Sequence, residues 1–256
     1  QRPASLQNTV TVNDKDHRSN HGDGLKEGIL GEDLAYGCGV SGRALGDVSF
    51  ARSLVHLEPF RGEAPYVVVC DRVAAAPGDT VQVHWHPATE SEIQSLENEN
   101  GFSALIDHHA ETDKTALTLY VAPTPDAVEQ KTVSSGAARD RRAGRHRKLI
   151  AQYPANGNGF SATLTALFPH LRTDAPARVE PITNETYHGF RIRHPRRRSD
   201  TVLVSKTETA QKTELDGIQL TAQTAVIRQH GSKLLSYLVC KGTSFGLGRT
   251  GFTSEK

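Results

Sequence analysis

The chain has 256 residues, of which 36% are hydrophobic, 23% charged and 6% aromatic, enough for one large or two small domains with a real core. Its 30 Lys and Arg against 29 Asp and Glu leave a formal charge of +1, so there is no general pull toward nucleic acid or an anionic membrane surface. The longest apolar runs, such as residues 67–70 and 234–240, fall far short of the roughly 20 residues of a membrane-spanning helix.

Cys38, Cys70 and Cys240 stand far apart in no metal-binding spacing. Three thiols cannot form a closed disulfide set, and we expect them reduced and mostly buried. The chain lacks methionine and opens Gln1-Arg2-Pro3 without a charged-then-apolar leader. We therefore expect a processed or excised chain.

In chain order, Thr9-Val10-Thr11-Val12, Val81-Gln82-Val83-His84-Trp85, Ala116-Leu117-Thr118-Leu119-Tyr120 and Thr201-Val202-Leu203-Val204 alternate with β-branched residues. Each reads as a half-buried antiparallel strand. Residues 65–71 are apolar on both faces until Asp71, the pattern of a central strand covered on both sides. Turn chemistry at Asn13-Asp14, Pro77-Gly78-Asp79, Asn100-Gly101, Asp216-Gly217 and Gly231-Ser232 separates such runs. Helical periodicity is nearly lacking, so the pattern predicts an all-β, large antiparallel sandwich as a single domain. Residues 215–240 read as a meander that turns Gln, Thr and Arg, including Arg228, toward water. Residues 242–248 read as a terminal turn, because the glycines open no helix and lack the Lys-Ser/Thr ending of a nucleotide loop.

Two segments are strongly basic. Residues 131–148, carrying Arg139, Arg141, Arg142, Arg145 and Lys148, read as an exposed loop, and Arg191, Arg193, His194, Arg196, Arg197 and Arg198 lie beside a predicted strand. Clustered arginines pair well with sulfate or carboxylate, which makes Arg141, Arg142, Arg145, Arg196 and Arg197 candidate anion-binding residues; a solvated insertion is the alternative. Nucleic-acid binding would call for interleaved aromatics, and these are missing.

His84 and His86 alternate on one strand, so their imidazoles share a face while Trp85 takes the other. This suits a two-histidine metal clamp, with Asp71 as a possible third ligand; hydrogen-bonded residues of a sheet are the competing reading. Asp71-Arg72 reads as a catalytic carboxylate beside a guanidinium or as a structural salt bridge. No Gly-x-Ser-x-Gly elbow is present.

Taken in order, several segments resemble the heparinase II/III-like polysaccharide lyases. Residues 2–16, with Gln7-Asn8-Thr9 entering a strand that ends at Asn13-Asp14, are similar to the family segment in which a His-Asn-Thr tripeptide begins a strand ending in an Asp-Gly-type turn. Residues 51–57, 66–73 and 83–87 resemble the strands that follow, residues 164–169 the Thr-x-Leu-Tyr-Pro strand, and residues 200–204 the next. The resemblance implies a C-terminal β-sandwich that normally follows an N-terminal α/α toroid, with an acidic polysaccharide bound between them. It implies β-elimination: the uronate carboxylate is neutralised, a Tyr or His base removes the C5 proton, and the glycosidic oxygen leaves. The toroid would supply the base, so this chain by itself is expected to be incomplete, with Gln7 and Asn8 lining the cleft. Family members often hold zinc with the tripeptide histidine, but Gln7 stands at that position and is a poor zinc ligand. A periplasmic or secreted location would go with such a substrate. A non-catalytic module that binds anionic glycans is the second reading, and a metal-dependent enzyme built on His84, His86 and Asp71 the third.

Overall fold

The computed structural model describes residues 7–18, 22–59, 64–87, 91–98, 101–108, 115–134, 145–175 and 177–254. Among them the strands are β1 (Val10–Val12), β2 (Gly24–Leu30), β3 (Leu34–Val40), β4 (Ser49–Leu57), β5 (Tyr66–Ala74), β6 (Thr80–Trp85) and β7 (Ser91–Asn98). Next come β8 (Gly101–His108), β9 (Thr115–Ala122), β10 (Ala127–Ser134), β11 (Arg145–Pro154), β12 (Phe160–Leu171), β13 (Arg178–Thr183) and β14 (Tyr187–His194). The last are β15 (Arg198–Ser205), β16 (Gln211–Leu215), β17 (Ile218–Ala222), β18 (Thr224–His230), β19 (Lys233–Cys240), β20 (Ser244–Leu247) and β21 (Thr250–Thr253). The described residues contain no helix.

These strands form four sheets, ordered β1-β6-β11-β10 (layer A), β2-β3-β4-β5-β12-β9-β8-β7 (layer B), β13-β14-β15-β18-β19 (layer C) and β16-β17-β20-β21 (layer D). The layers stack in that order, with a core in each gap. Val10, Val83, Trp85 and Leu149 of A meet Val69, Val73, Leu119 and Val121 of B. The opposite face of B, with Val68, Cys70, Leu164 and Phe168, meets Phe190, Ile192, Val202 and Val226 of C. Tyr187, Leu203 and Ile227 of C meet Leu220 and Phe245 of D. The fold is therefore an antiparallel β-sandwich, with four layers. All three thiols are free and buried.

Strand β5 explains the order of the stack. Val67-Val68-Val69-Cys70 has no polar face, so either side exposed would leave apolar surface in water, at roughly 1.5–3 kcal/mol per side chain. The fold places β5 inside the eight-stranded sheet, paired with β4 and β12. Turn chemistry sets the hairpins. Asn13-Asp14 has φ of 51° and 57°, and Asp216-Gly217 has 49° and 78°, as a tight turn with two left-handed central residues requires.

Four expectations change. The polar faces of β1 and β6 are not exposed: Thr11, Gln82 and His84 are buried and hydrogen-bonded to one another or to Asp14. Residues 131–134 and 145–148 are not loop but the paired ends of β10 and β11, with Lys131 opposite Lys148. The C-terminal meander is split, because β16–β17 belongs to layer D and β18–β19 to layer C, with Arg228 buried between layers instead of facing water. Residues 244–247 are strand β20, paired with β17 and β21.

Candidate functional site

The residues before β1 meet the end of β6. His84 N–H donates to Thr9 O at 2.9 Å, which extends the β1–β6 pairing one residue backward. His86 N–H then donates to Asn8 Oδ1 at 2.6 Å. Arg52 of β4 reaches the same point from layer B, donating from Nη1 to Asn8 O at 2.5 Å. The rest of its fork holds Asp71: Nε to Oδ1 at 2.6 Å and Nη2 to Oδ2 at 2.8 Å. The guanidinium lies 5.6 Å from the Trp85 ring centroid and 5.7 Å from that of Phe50. Burial would weaken the charge on Arg52, but Asp71 outweighs it and raises the pKa above its ordinary value. Bidentate pairing of this kind fixes position as well as charge. The result is an exposed rim, Gln7-Asn8, anchored at Asn8 from two layers.

Behind the rim, on the other face of β6, lies a buried polar cluster. Thr11 Oγ1 donates to Gln82 Oε1 at 3.0 Å and lies 2.7 Å from His84 Nε2. The hydroxyl has a single hydrogen, so His84 must be the donor from Nε2, leaving Nδ1 a lone pair. That atom is buried with no hydrogen-bond partner. Gln82 also accepts from Asp14 N–H at 2.9 Å and donates to Asp14 Oδ1 at 2.7 Å. Burial, with Lys148 and His86 nearby, pushes His84 down to about 3, so it is neutral at physiological pH. Lys148 is likewise lowered by burial and by Lys131, with Asp14, Glu129 and Asp16 opposing.

The candidates drawn from sequence divide as follows. Asn8, His86 and Asp71 meet through Arg52 and Asn8 at this end of the A–B gap, with Gln7 next in the chain, but the His84 side chain lies on the other face of β6, and both Asp71 oxygens serve Arg52. Asp71 is therefore neither a metal ligand beside the histidines nor the partner of Arg72. Arg72 points to the opposite face of β5 and binds Gln223 Oε1 at 2.7 Å and Glu208 O at 2.5 Å. Zinc does not fit: Gln7 is a neutral amide, both oxygens of Asp71 are taken by Arg52, and the described residues hold no group of three His, Cys, Asp or Glu suited to a metal. Arg141 and Arg142 lie outside the described residues, as does the side chain of Arg145. In the second basic cluster, Arg191 pairs with Asp216 and Arg193 with Glu180. Arg196 and Arg197 stand exposed in the β14–β15 turn.

A second polar center was not anticipated. Asp200, fully buried, accepts from Tyr66 Oη at 2.5 Å and Arg228 Nε at 3.0 Å, with His194 Nε2 at 3.1 Å. Arg228 also donates to Asp33 O and Glu58 O, tying layer C to layer B. The available signal was a lone charge at the end of an apolar strand, in Asp200-Thr201-Val202 and in Val226-Ile227-Arg228.

No family model and no curated protein matches the chain. Among solved structures it is similar to a heparan sulfate lyase HepC mutant from Pedobacter heparinus, with a TM-score of 0.60 at 12% identity, over 80% of this chain and 30% of that one. A structure of heparinase III gives 0.59 at 9% identity, over 80% and 30%. A heparinase III gene product with methylated lysines gives 0.56 at 14% identity, over 89% and 30%. The chain shares its fold with part of these structures. It spans about 30% of their length, and the relationship is distant.

Proposed function

We propose that this chain is the C-terminal β-sandwich of a heparinase II/III-like lyase that cleaves an acidic, uronate-containing polysaccharide by β-elimination, with an N-terminal α/α toroid completing the active site. The observation that carries the reading is the anchored rim. Asn8 is held by His86 and Arg52, so the chain at Gln7-Asn8 is tied to the sandwich instead of hanging as a tail. The shared fold with structures named as heparan sulfate lyases supports it. In this reading Asn8 is a positioning residue, which ties the rim to His86 and Arg52. Gln7 contacts substrate: its amide N–H groups donate to the uronate carboxylate and stabilise the negative charge that builds as the C5 proton leaves. The base comes from the toroid. A periplasmic or secreted location accompanies such a substrate.

The test is formation of the unsaturated uronate product, followed by its ultraviolet absorbance, with the longer gene product acting on a panel of acidic polysaccharides. Gln7→Ala should lower kcat by roughly 100-fold or more, as loss of a charge-stabilising donor does. Activity unchanged by that substitution would overturn the assignment of Gln7. A second reading, an anionic-glycan binding module without turnover, is favoured by the exposed pair Arg196 and Arg197.

A further inference from the structure

Between layers B and C, away from the Gln7 rim of layer A, the ends of β5, β12 and β14 enclose a cavity of about 500 Å³. This falls within the roughly 300–1,000 Å³ of small-ligand pockets. Pro169, Leu171 and Pro195, all exposed, give it an apolar wall, and Tyr66 and Phe168, buried and stacked on each other with ring centroids 4.5 Å apart, back it. Thr115, His170, Asp174 and His194 are its polar members.

The wall is fixed from behind. Tyr66 and His194 both bond to Asp200, which Arg228 holds in turn. His170 is pinned at both nitrogens, by Leu171 O at 2.8 Å and Thr118 Oγ1 at 2.8 Å. A carbonyl only accepts, so Nδ1 carries the hydrogen that it donates to Leu171 O. A cavity so braced keeps its shape when empty, which favours binding.

The chain beyond Pro195 carries the second observation. Pro195 lines the cavity and leads directly into Arg196 and Arg197, exposed, with φ of 58° and 60°. Asn-Gly is the residue pair suited to such a turn, and side chains held in the left-handed region concentrate at functional sites. Gly231 N–H holds the turn through Arg197 O at 2.8 Å. The neighbouring Arg191 and Arg193 are neutralised by Asp216 and Glu180.

We infer that this cavity is a glycan subsite for one or two units of an acidic saccharide, seating the apolar face of a sugar on the exposed Pro169, Leu171 and Pro195 and its anionic groups on Arg196 and Arg197, which follow Pro195 in the chain. Asp174 accepts from sugar hydroxyls. The substrate class rests on the lyase reading; the site does not require turnover.

Calorimetry on the full chain tests this with a short heparin oligosaccharide and a neutral cello-oligosaccharide. Ala175→Trp plugs the cavity from an exposed lining position, and Arg196→Asn with Arg197→Gly removes the charges while suiting the turn. Each should weaken heparin binding about tenfold or more, with an unfolding midpoint no lower for the turn variant and no binding of the neutral oligosaccharide. Wild-type affinity in both variants, or no heparin binding by the wild type, would overturn the subsite. Unchanged binding in the variants alongside Gln7-dependent turnover would sink the subsite alone. Heparin binding lost in the variants, with no turnover by the longer gene product, would sink the lyase reading and support the subsite.

Discussion

Arg52 clamps Asp71 with two hydrogen bonds of 2.6 and 2.8 Å while its remaining nitrogen holds the Asn8 carbonyl, so one side chain links a buried carboxylate of layer B to the exposed rim. Asp71 is 1% exposed, and removing its partner leaves a buried charge. Arg52→Met should destabilise the fold by about 3–5 kcal/mol in urea unfolding. Asp71→Asn, which removes the stranded charge, should cost less. If Arg52→Met unfolds at the wild-type urea midpoint, the pair is not holding the layers.

The second buried carboxylate predicts acid behaviour. Burial opposes ionisation of Asp200, but His194, Arg228 and Tyr66 outweigh it and hold the group below its ordinary value. A depressed carboxylate contributes stability above its unfolded pKa of about 3.9 and loses it as pH falls through the folded value. Tyr66→Phe should therefore cost about 1.5–3 kcal/mol at neutral pH and move acid unfolding to higher pH. Identical acid-unfolding curves for the two proteins would refute this.

His84 works in a different window. It is pushed down to about 3 in the fold, against about 6.5 when unfolded. Its contribution is fully present above the unfolded value and is lost progressively as pH falls toward the folded one. His188, held at about 4 mainly by burial, acts in the same sense. Stability measured across this range should fall on acidification, less so in His84→Gln, and least when His188 is replaced as well. A slope that His84→Gln leaves intact would rule His84 out as its source.

The β14–β15 turn makes a prediction about stability with the opposite sign. Arg196 and Arg197 sit at φ of 58° and 60°, where non-glycine side chains cost on the order of 1 kcal/mol each. Arg196→Asn with Arg197→Gly should raise stability by about 1–2 kcal/mol in thermal unfolding. No gain would mean that the arginine side chains stabilise the turn themselves.

The fold class was legible because alternation, turn residues and the two-faced apolar run at residues 65–71 all pointed to stacked sheets. What the sequence hid was the number of layers. Alternation promised water for Thr11, Gln82 and His84, and nothing local reveals that chain from elsewhere buries them. Arg228 and Asp200 were unreadable for the same reason, since each satisfies the other from 28 residues away. Asn8 was singled out only by resemblance; its anchoring by Arg52 spans 44 residues. The turn at Arg196-Arg197 was missed because arginine gives no turn signal.

The most direct test compares this chain alone with the longer gene product carrying the proposed toroid, on acidic and neutral polysaccharides, by the absorbance of the unsaturated product. The account predicts signal on an acidic polysaccharide from the longer form only, abolished by Gln7→Ala. No product from either form, with salt-sensitive retention on a heparin column, would contradict it and leave a glycan-binding module.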